Sequence, residues 1–118
     1  MSVLYRVVSE STWQQAQQLG HLPLCGNDRK ERGIHLNLPE AVEYTINRYF
    51  SAHENPRVLV VNTSLFAERI EWRDPIELEP WQRPLARIDN LPLSAVIDTN
   101  PIKPSHLDAS PALRWVRS

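Results

Sequence analysis

Glycine and cysteine are scarce in this chain: its 118 residues include three glycines and a single cysteine, Cys25. One cysteine cannot form an internal disulfide, and a zinc site would have to draw on four scattered histidines. Neither a disulfide framework nor a metal is therefore expected, and a reducing, cytoplasmic compartment suits the composition. Long apolar runs are also missing. The longest, Val58 to Val61, falls far short of the ~20 residues that a bilayer-crossing helix needs. Residues Met1 to Arg6 lack the basic-then-apolar order of a signal peptide. Charge of one sign is not in excess either. A formal net charge of −1 creates no global field that would draw in nucleic acid or an anionic membrane, so neither is an expected partner. No glycine-rich phosphate loop, Gly-x-Ser-x-Gly or Cys-x-x-Cys occurs.

What is present suits one globular domain. Hydrophobic residues make up 42% of the chain, enough for a core at this length. Ten prolines, most of them after Asp74, predict a stiff, turn-rich second half with short strands. Val3 to Val8 reads as a first strand. Ser9 stands ready to cap a helix over Glu10 to Leu19, in which Trp13, Ala16 and Leu19 recur at helical spacing and Gly20 supplies the stop. Residues 21–32 read as a polar loop, and Gly33 to Leu36 as a short strand. A second helix follows, with Asn37 at its N-cap, Pro39 in its first turn and Glu40 completing a capping box. Its buried stripe is expected at Val42, Ile46 and Tyr49. Further strands are expected at 57–61, 70–73, 85–88 and 93–98, the first of them central because it is apolar throughout. The order strand, helix, strand, helix and then several strands predicts an α+β fold with two early helices and a mixed or largely antiparallel sheet. A single domain is expected over residues 1–100. Residues 101–118 have no clear period and read as a partly mobile C-terminal extension, with Trp115 as the residue by which it could dock on the body of the domain.

Candidate site residues follow from this placement. Arg6 shares a strand face with Leu4 and Val8. It is either a cation whose stem covers apolar surface or a fixed guanidinium for a pyrophosphate or carboxylate. His35 points away from Ile34 and Leu36. It serves either packing or chemistry, as a partner to a ribose hydroxyl or as a general acid or base, since imidazole titrates near neutrality. Asn37 caps a helix whose N-terminus also suits an anion. Arg29, Lys30 and Arg32 form the densest cationic cluster, either solvated or folded over a ligand beside His35. Tyr44 and Arg48, spaced i,i+4, flank the second helix and are either boundary residues or reach the same cleft. No metal ligand set is read.

Leu4-Tyr5-Arg6-Val7, then Trp13 with Ala16 and Gly20, then Glu71-Trp72 and Leu91-Pro92-Leu93-Ser94-Ala95-Val96 match parts of one pattern. The most specific part is Asp28-Arg29-Lys30-Glu31-Arg32-Gly33-Ile34-His35-Leu36. Together they resemble the domain-of-unknown-function family 952 over roughly residues 4 to 97. The chain departs from that family at Asn37, where serine is usual, and at Arg32-Gly33, where a Gly-aromatic pair stands. It departs again at Leu85-Ala86-Arg87-Ile88-Asp89, which replaces a Pro-His-aliphatic-Tyr-Gly stretch, so a second histidine and a tyrosine are missing. The family is itself distantly similar to the ADP-ribosyltransferase superfamily, including the RNA 2′-phosphotransferases.

That resemblance implies an ADP-ribosyltransferase-like fold with a cleft for NAD, ADP-ribose or another nucleotide. Arg6 and His35 would be the catalytic pair. Arg29 and Arg32 would hold phosphates, His35 would meet a ribose, and Asn37, Tyr44, Arg48 and Arg87 would complete the binding set. The superfamily's catalytic glutamate has no secure counterpart here. Glu71, Glu77 and Glu79 lie in the right part of the chain but outside any motif, which counts against ADP-ribosyl transfer. The rival expectation is a non-enzymatic protein-interaction module with an exposed apolar patch involving Trp81 or Trp115. The nucleotide reading requires Arg6 and His35 on one side of the sheet.

Overall fold

The structure, a computed structural model, describes residues 2–101, together with the backbone of Lys103–Pro104 and Leu113–Arg114. Most of the expected extension, including Trp115, lies outside the described residues. Strand β1 (Val3–Val8) pairs antiparallel with β4 (Arg57–Asn62), and β4 pairs antiparallel with β8 (Val96–Pro101). β4 is central, as its unbroken apolar run predicts: Val58 to Val61 are all buried. The side-chain period of two divides the core between the faces of this sheet. Leu4, Val8, Leu59 and Val61 join one cluster with Ala16, while Tyr5, Val7, Val58 and Val60 join another with Val42 and Ile46. Each such fully buried side chain contributes about 1.5–3 kcal/mol of transfer free energy.

Helix α1 (Glu10–Leu19) has the expected ends. The Ser9 hydroxyl accepts the Thr12 N–H at 3.2 Å, and Gly20, at φ +83°, gives its N–H to the Ala16 carbonyl at 2.8 Å. The polar stretch after it is not a loop. It contains β2 (His21–Leu22) and a six-residue helix, α2 (Gly26–Glu31). Gly26, Asn27 and Asp28 suggest a turn by composition. The helix is instead started by tertiary bonding, because the Asp28 carboxylate accepts the Cys25 N–H at 3.0 Å while its other oxygen is held elsewhere in the fold.

Strand β3 (Ile34–His35) pairs with β6 (Arg83–Ala86), and β6 with β5 (Ile70–Arg73), all antiparallel, so β5 is an edge as expected. Gly33 leads into β3 where the chains nearly touch: a Cβ there would sit 2.8 Å from the Ala86 carbonyl oxygen. β2 pairs with β7 (Leu91–Pro92). The strand expected at 93–98 is divided, because Leu93–Ala95 form a 3-10 turn that takes the chain from β7, on one sheet, to β8, on another. β9 (Lys103–Pro104) and β10 (Leu113–Arg114) pair with each other.

Asn37 does not cap the second expected helix. A 3-10 turn (Pro39–Ala41) precedes α3 (Val42–Tyr49), and the residue before that turn is Leu38. Asn37 exchanges both backbone hydrogen bonds with Tyr5, at 2.7 and 2.9 Å, and its side-chain oxygen accepts the Thr45 hydroxyl at 2.8 Å. That bridge ties the β1 edge to the end of β3 and takes Asn37 out of the capping position. Tyr49 leaves the buried stripe and is 55% exposed. The architecture is α+β with small antiparallel sheets.

Candidate functional site

Arg6 projects from the middle of β1 onto the face it shares with Leu4 and Val8, opposite Leu59. A guanidinium in such a place needs an anion, and Asp28 of α2 supplies it. One terminal nitrogen of Arg6 lies 2.6 Å from Asp28 Oδ2. The other lies 3.2 Å from Oδ1 and 2.8 Å from the His35 carbonyl oxygen. Asp28 also accepts the His35 backbone N–H at 3.1 Å and lies 2.9 Å from His35 Nδ1. Burial alone would push the Asp28 carboxyl up. The hydrogen bonds from His35 and the charge and hydrogen bonds of Arg6 outweigh it and hold the group well below the usual carboxylate range. Burial likewise works against the Arg6 cation, and Asp28 reverses the sign, so Arg6 is raised.

His35 is thus fixed from behind by a carboxylate that stays ionised. The Asp28 carboxylate takes the Nδ1–H, so Nε2 is the ring nitrogen presented to the cleft. The ring is one-third exposed, and Nε2 lies 3.3 Å from Glu31 Oε1. The other Glu31 oxygen pairs with Arg73 on β5. Arg73 Nε in turn bonds Glu71 at 2.9 Å, and Glu71 bonds Arg87 at 2.9 Å. Desolvation, the largest single influence, opposes the Glu31 charge, but the hydrogen bonds and charges of Arg73 and then His35 together outweigh it and lower its pKa. A continuous chain of ion pairs and hydrogen bonds therefore runs from the interior to the surface: Arg6, Asp28, His35, Glu31, Arg73, Glu71, Arg87.

The exposed edge of His35 opens on a cleft of about 740 Å³. Arg6, His35 and Asn37 line it together with Thr45, Tyr49 and Phe50 from the α3 side and Trp81 to Pro84 from the segment entering β6. Trp81 is held edge-on by Tyr44, with ring centroids 5.5 Å apart and planes at 67°. Three arginines (Arg6, Arg73, Arg83) and three glutamates (Glu31, Glu54, Glu79) line the cleft, so its formal charge is balanced.

The structure brings three of the sequence-predicted residues to this cleft: Arg6, His35 and Asn37. Arg6 and His35, on strands of two different sheets, both line the cleft, and the Arg6 fork is engaged by Asp28. Arg29 and Arg32 are exposed on α2 and its end, away from the lining. Tyr44 stands behind Trp81. Arg48 lies 5.6 Å from the Tyr49 ring centroid, outside the lining. Arg87 sits on Glu71 at the outer end of the charge chain. Of the three glutamates weighed from sequence, only Glu79 reaches the cleft. Asp28, Glu31, Arg73 and Arg83 were not singled out as site residues. A signal existed for the first two. Asp28, Glu31 and His35 stand at i, i+3 and i+7, which puts both carboxylates near the imidazole once residues 26–31 are helical.

Among the described residues, no group of three or more His, Cys, Asp or Glu is placed to hold a metal ion. No helix among them is long and apolar enough to cross a membrane.

The family described as "Protein of unknown function (DUF952)" matches residues 7–99, most of the chain and all of the Asp28–His35 segment. The chain belongs to this family. No curated protein matches it. Its fold is shared with protein CC0527 from Caulobacter crescentus. The crystal structure of CC0527 superposes with a TM-score of 0.79 at 20% identity, over 96% of this chain and 94% of that one. Its solution NMR structure gives 0.70, also at 20% identity, over 90% and 89%. Within the DUF952 region, position 32 takes the left-handed conformation, φ +56°. At this position the sequence resemblance leads one to expect glycine, and this chain has Arg32.

Proposed function

We propose that the chain binds a small nucleotide-like molecule in the His35 cleft, with its flat ring against the aromatic side and its sugar hydroxyls toward His35 Nε2 and Asn37. The observation that carries this reading is an imidazole immobilised by a buried carboxylate, opening on a cleft that is also lined by Phe50, Tyr49 and Trp81. Fixed polar groups beside aromatic surface are what orient a ring-and-hydroxyl ligand, and the volume is within the roughly 300–1,000 Å³ of small-molecule sites. The ion-paired state of Arg6 assigns it to positioning: it holds Asp28, which holds His35. Phosphate recognition then falls to Arg73 and Arg83 instead of Arg6, Arg29 and Arg32. NAD and ADP-ribose, which the sequence resemblance suggests, remain in the ligand class. If a reaction occurs, Nε2 of His35 is the group to accept or donate the proton.

Titrating AMP, ADP-ribose and NAD into isotopically labelled protein tests the reading. The His35 ring, the Asn37 amide and the Trp81 indole signals should move together and saturate. Saturable shifts confined to another surface would refute it.

A protein-contact reading has one observation of its own: Trp72, Ile76 and Leu78 are 44%, 45% and 66% exposed along one stretch of chain. It predicts concentration-dependent association or partner capture that is abolished by Leu78→Asp, with no ligand shift at His35.

A further inference from the structure

The Glu31 side chain is held only by two cleft-facing neighbours, and it sits between them at the most useful point of the charge chain. Its carboxylate bridges His35 Nε2, presented by β3, and Arg73, presented by β5. All three residues line the cleft. Each partner has a second carboxylate on its far side. Asp28 holds His35 through Nδ1 and the backbone N–H, and Glu71 holds Arg73 through Nε. Removing the Glu31 carboxylate would leave the imidazole and the guanidinium where they are, aimed at an empty position between them. The Glu31 side chain has no comparable second anchor. It is one-third exposed at the last residue of a six-residue helix, so rotating it into solvent breaks only partly hydrated ion pairs, which are worth little.

We infer that Glu31 occupies, in the free protein, the place of a ligand oxyanion, and that a phosphate or carboxylate group of the ligand displaces it to bridge His35 and Arg73. This deepens the cleft reading and rests on it. The inference also accounts for the balanced charge of the cleft: with Glu31 swung out, the lining gains a net positive site suited to one anionic group beside the aromatic pocket. The built-in carboxylate makes the site selective. A neutral nucleoside leaves Glu31 in place, whereas an anion must bind strongly enough to displace it.

The test compares inorganic phosphate, acetate, adenosine and AMP as probes on wild type, Glu31→Ala and Glu31→Gln, by calorimetry and by the His35 ring signals. Urea unfolding first establishes that each variant is folded. Phosphate and AMP should bind Glu31→Ala more tightly than wild type, by roughly five- to a hundredfold, the range of ordinary site coupling. Adenosine affinity should be nearly unchanged. Glu31→Gln, which keeps the shape and removes the charge, should fall between the two, and Arg73→Gln in the Glu31→Ala background should abolish the gain. Acetate distinguishes the anion: a gain for phosphate without one for acetate assigns the place to a phosphate group, and equal gains assign it to either oxyanion. If adenosine binds at His35 and the anions gain nothing in Glu31→Ala, the displacement is refuted while the cleft reading stands. If adenosine and AMP fail to bind while phosphate still gains, the anion site stands and the nucleotide reading falls. Binding by none of the probes in any variant overturns both.

Discussion

The Asp28 carboxylate takes both terminal nitrogens of Arg6, at 2.6 and 3.2 Å, at a point where Asp28 is fully enclosed by the fold. The pair is the joint between β1, α2 and β3, because the remaining valences of Asp28 go to Cys25 and His35. Breaking a buried pair from one side leaves an uncompensated charge, so Asp28→Leu and Arg6→Met should each destabilise by about 3–5 kcal/mol in urea unfolding. The double substitution Arg6→Met with Asp28→Leu should cost clearly less than their sum. Additive losses would mean that the two groups do not interact.

The same joint sets the acid limit of the fold. The Asp28 pKa is lowered in the folded protein, so its contribution is complete above the unfolded carboxyl value and is lost as pH falls toward the folded one. The lowered values of Glu31 and Glu71 act in the same direction with less weight, since both carboxylates are hydrated. Stability should therefore hold above about pH 5 and decline below about pH 4, where unfolded carboxylates take up protons. In Asp28→Asn that decline should be shallower. An equally steep acid slope in the variant would place the responsible carboxylate elsewhere.

Gly33 has no room for a side chain. A Cβ would meet the Ala86 oxygen at 2.8 Å and Leu85 Cγ at 2.9 Å, on the strand paired with β3. Gly33→Ala should cost about 1–3 kcal/mol by forcing β3 off β6. Gly26→Ala, where nothing lies within 4 Å, should change little or gain up to ~1 kcal/mol from helix propensity. Thermal unfolding of the two variants side by side distinguishes local crowding from a general intolerance of alanine.

Arg32 closes α2 with φ +56° and ψ +48°, a conformation that costs a side-chain-bearing residue roughly 1–2 kcal/mol. Arg32→Gly should therefore raise stability by about 0.5–1 kcal/mol, the relief being partly offset by the added freedom of the unfolded chain. Ligand affinity should not change, because Arg32 does not line the cleft. Loss of binding in Arg32→Gly would restore Arg32 to the site.

Local signals carried the sequence reading where they decide the outcome. The Ser9 cap and Gly20 stop gave α1 its bounds, and the Val58–Val61 run gave β4 its central position. Alternation placed Arg6 with Leu4 and Val8. The reading failed where long-range bonds override composition. Residues 26–31 are helical because Asp28 is tied to Arg6 and His35, partners 22 and 7 residues away. Asn37 misses its capping role because Tyr5, 32 residues distant, claims its backbone. The site was legible as a pair, Arg6 and His35, but the carboxylate that joins them was hidden in a segment read as loop. Arg73 and Arg83 enter the cleft through strand pairing alone, which no local pattern announces.

Ligand-dependent thermal stability shows most directly whether His35 is the polar focus of a small-molecule cleft. Adenosine, AMP, ADP-ribose and NAD would be scanned against wild type, His35→Ala and Trp81→Ala. A ligand at a hundred times its dissociation constant adds about 2.7 kcal/mol, a rise of roughly ten degrees for a chain of this size. Such a rise is expected with at least one of these ligands in wild type, together with its loss in both variants. No rise with any of them, or a rise that His35→Ala leaves intact, would contradict that role for His35.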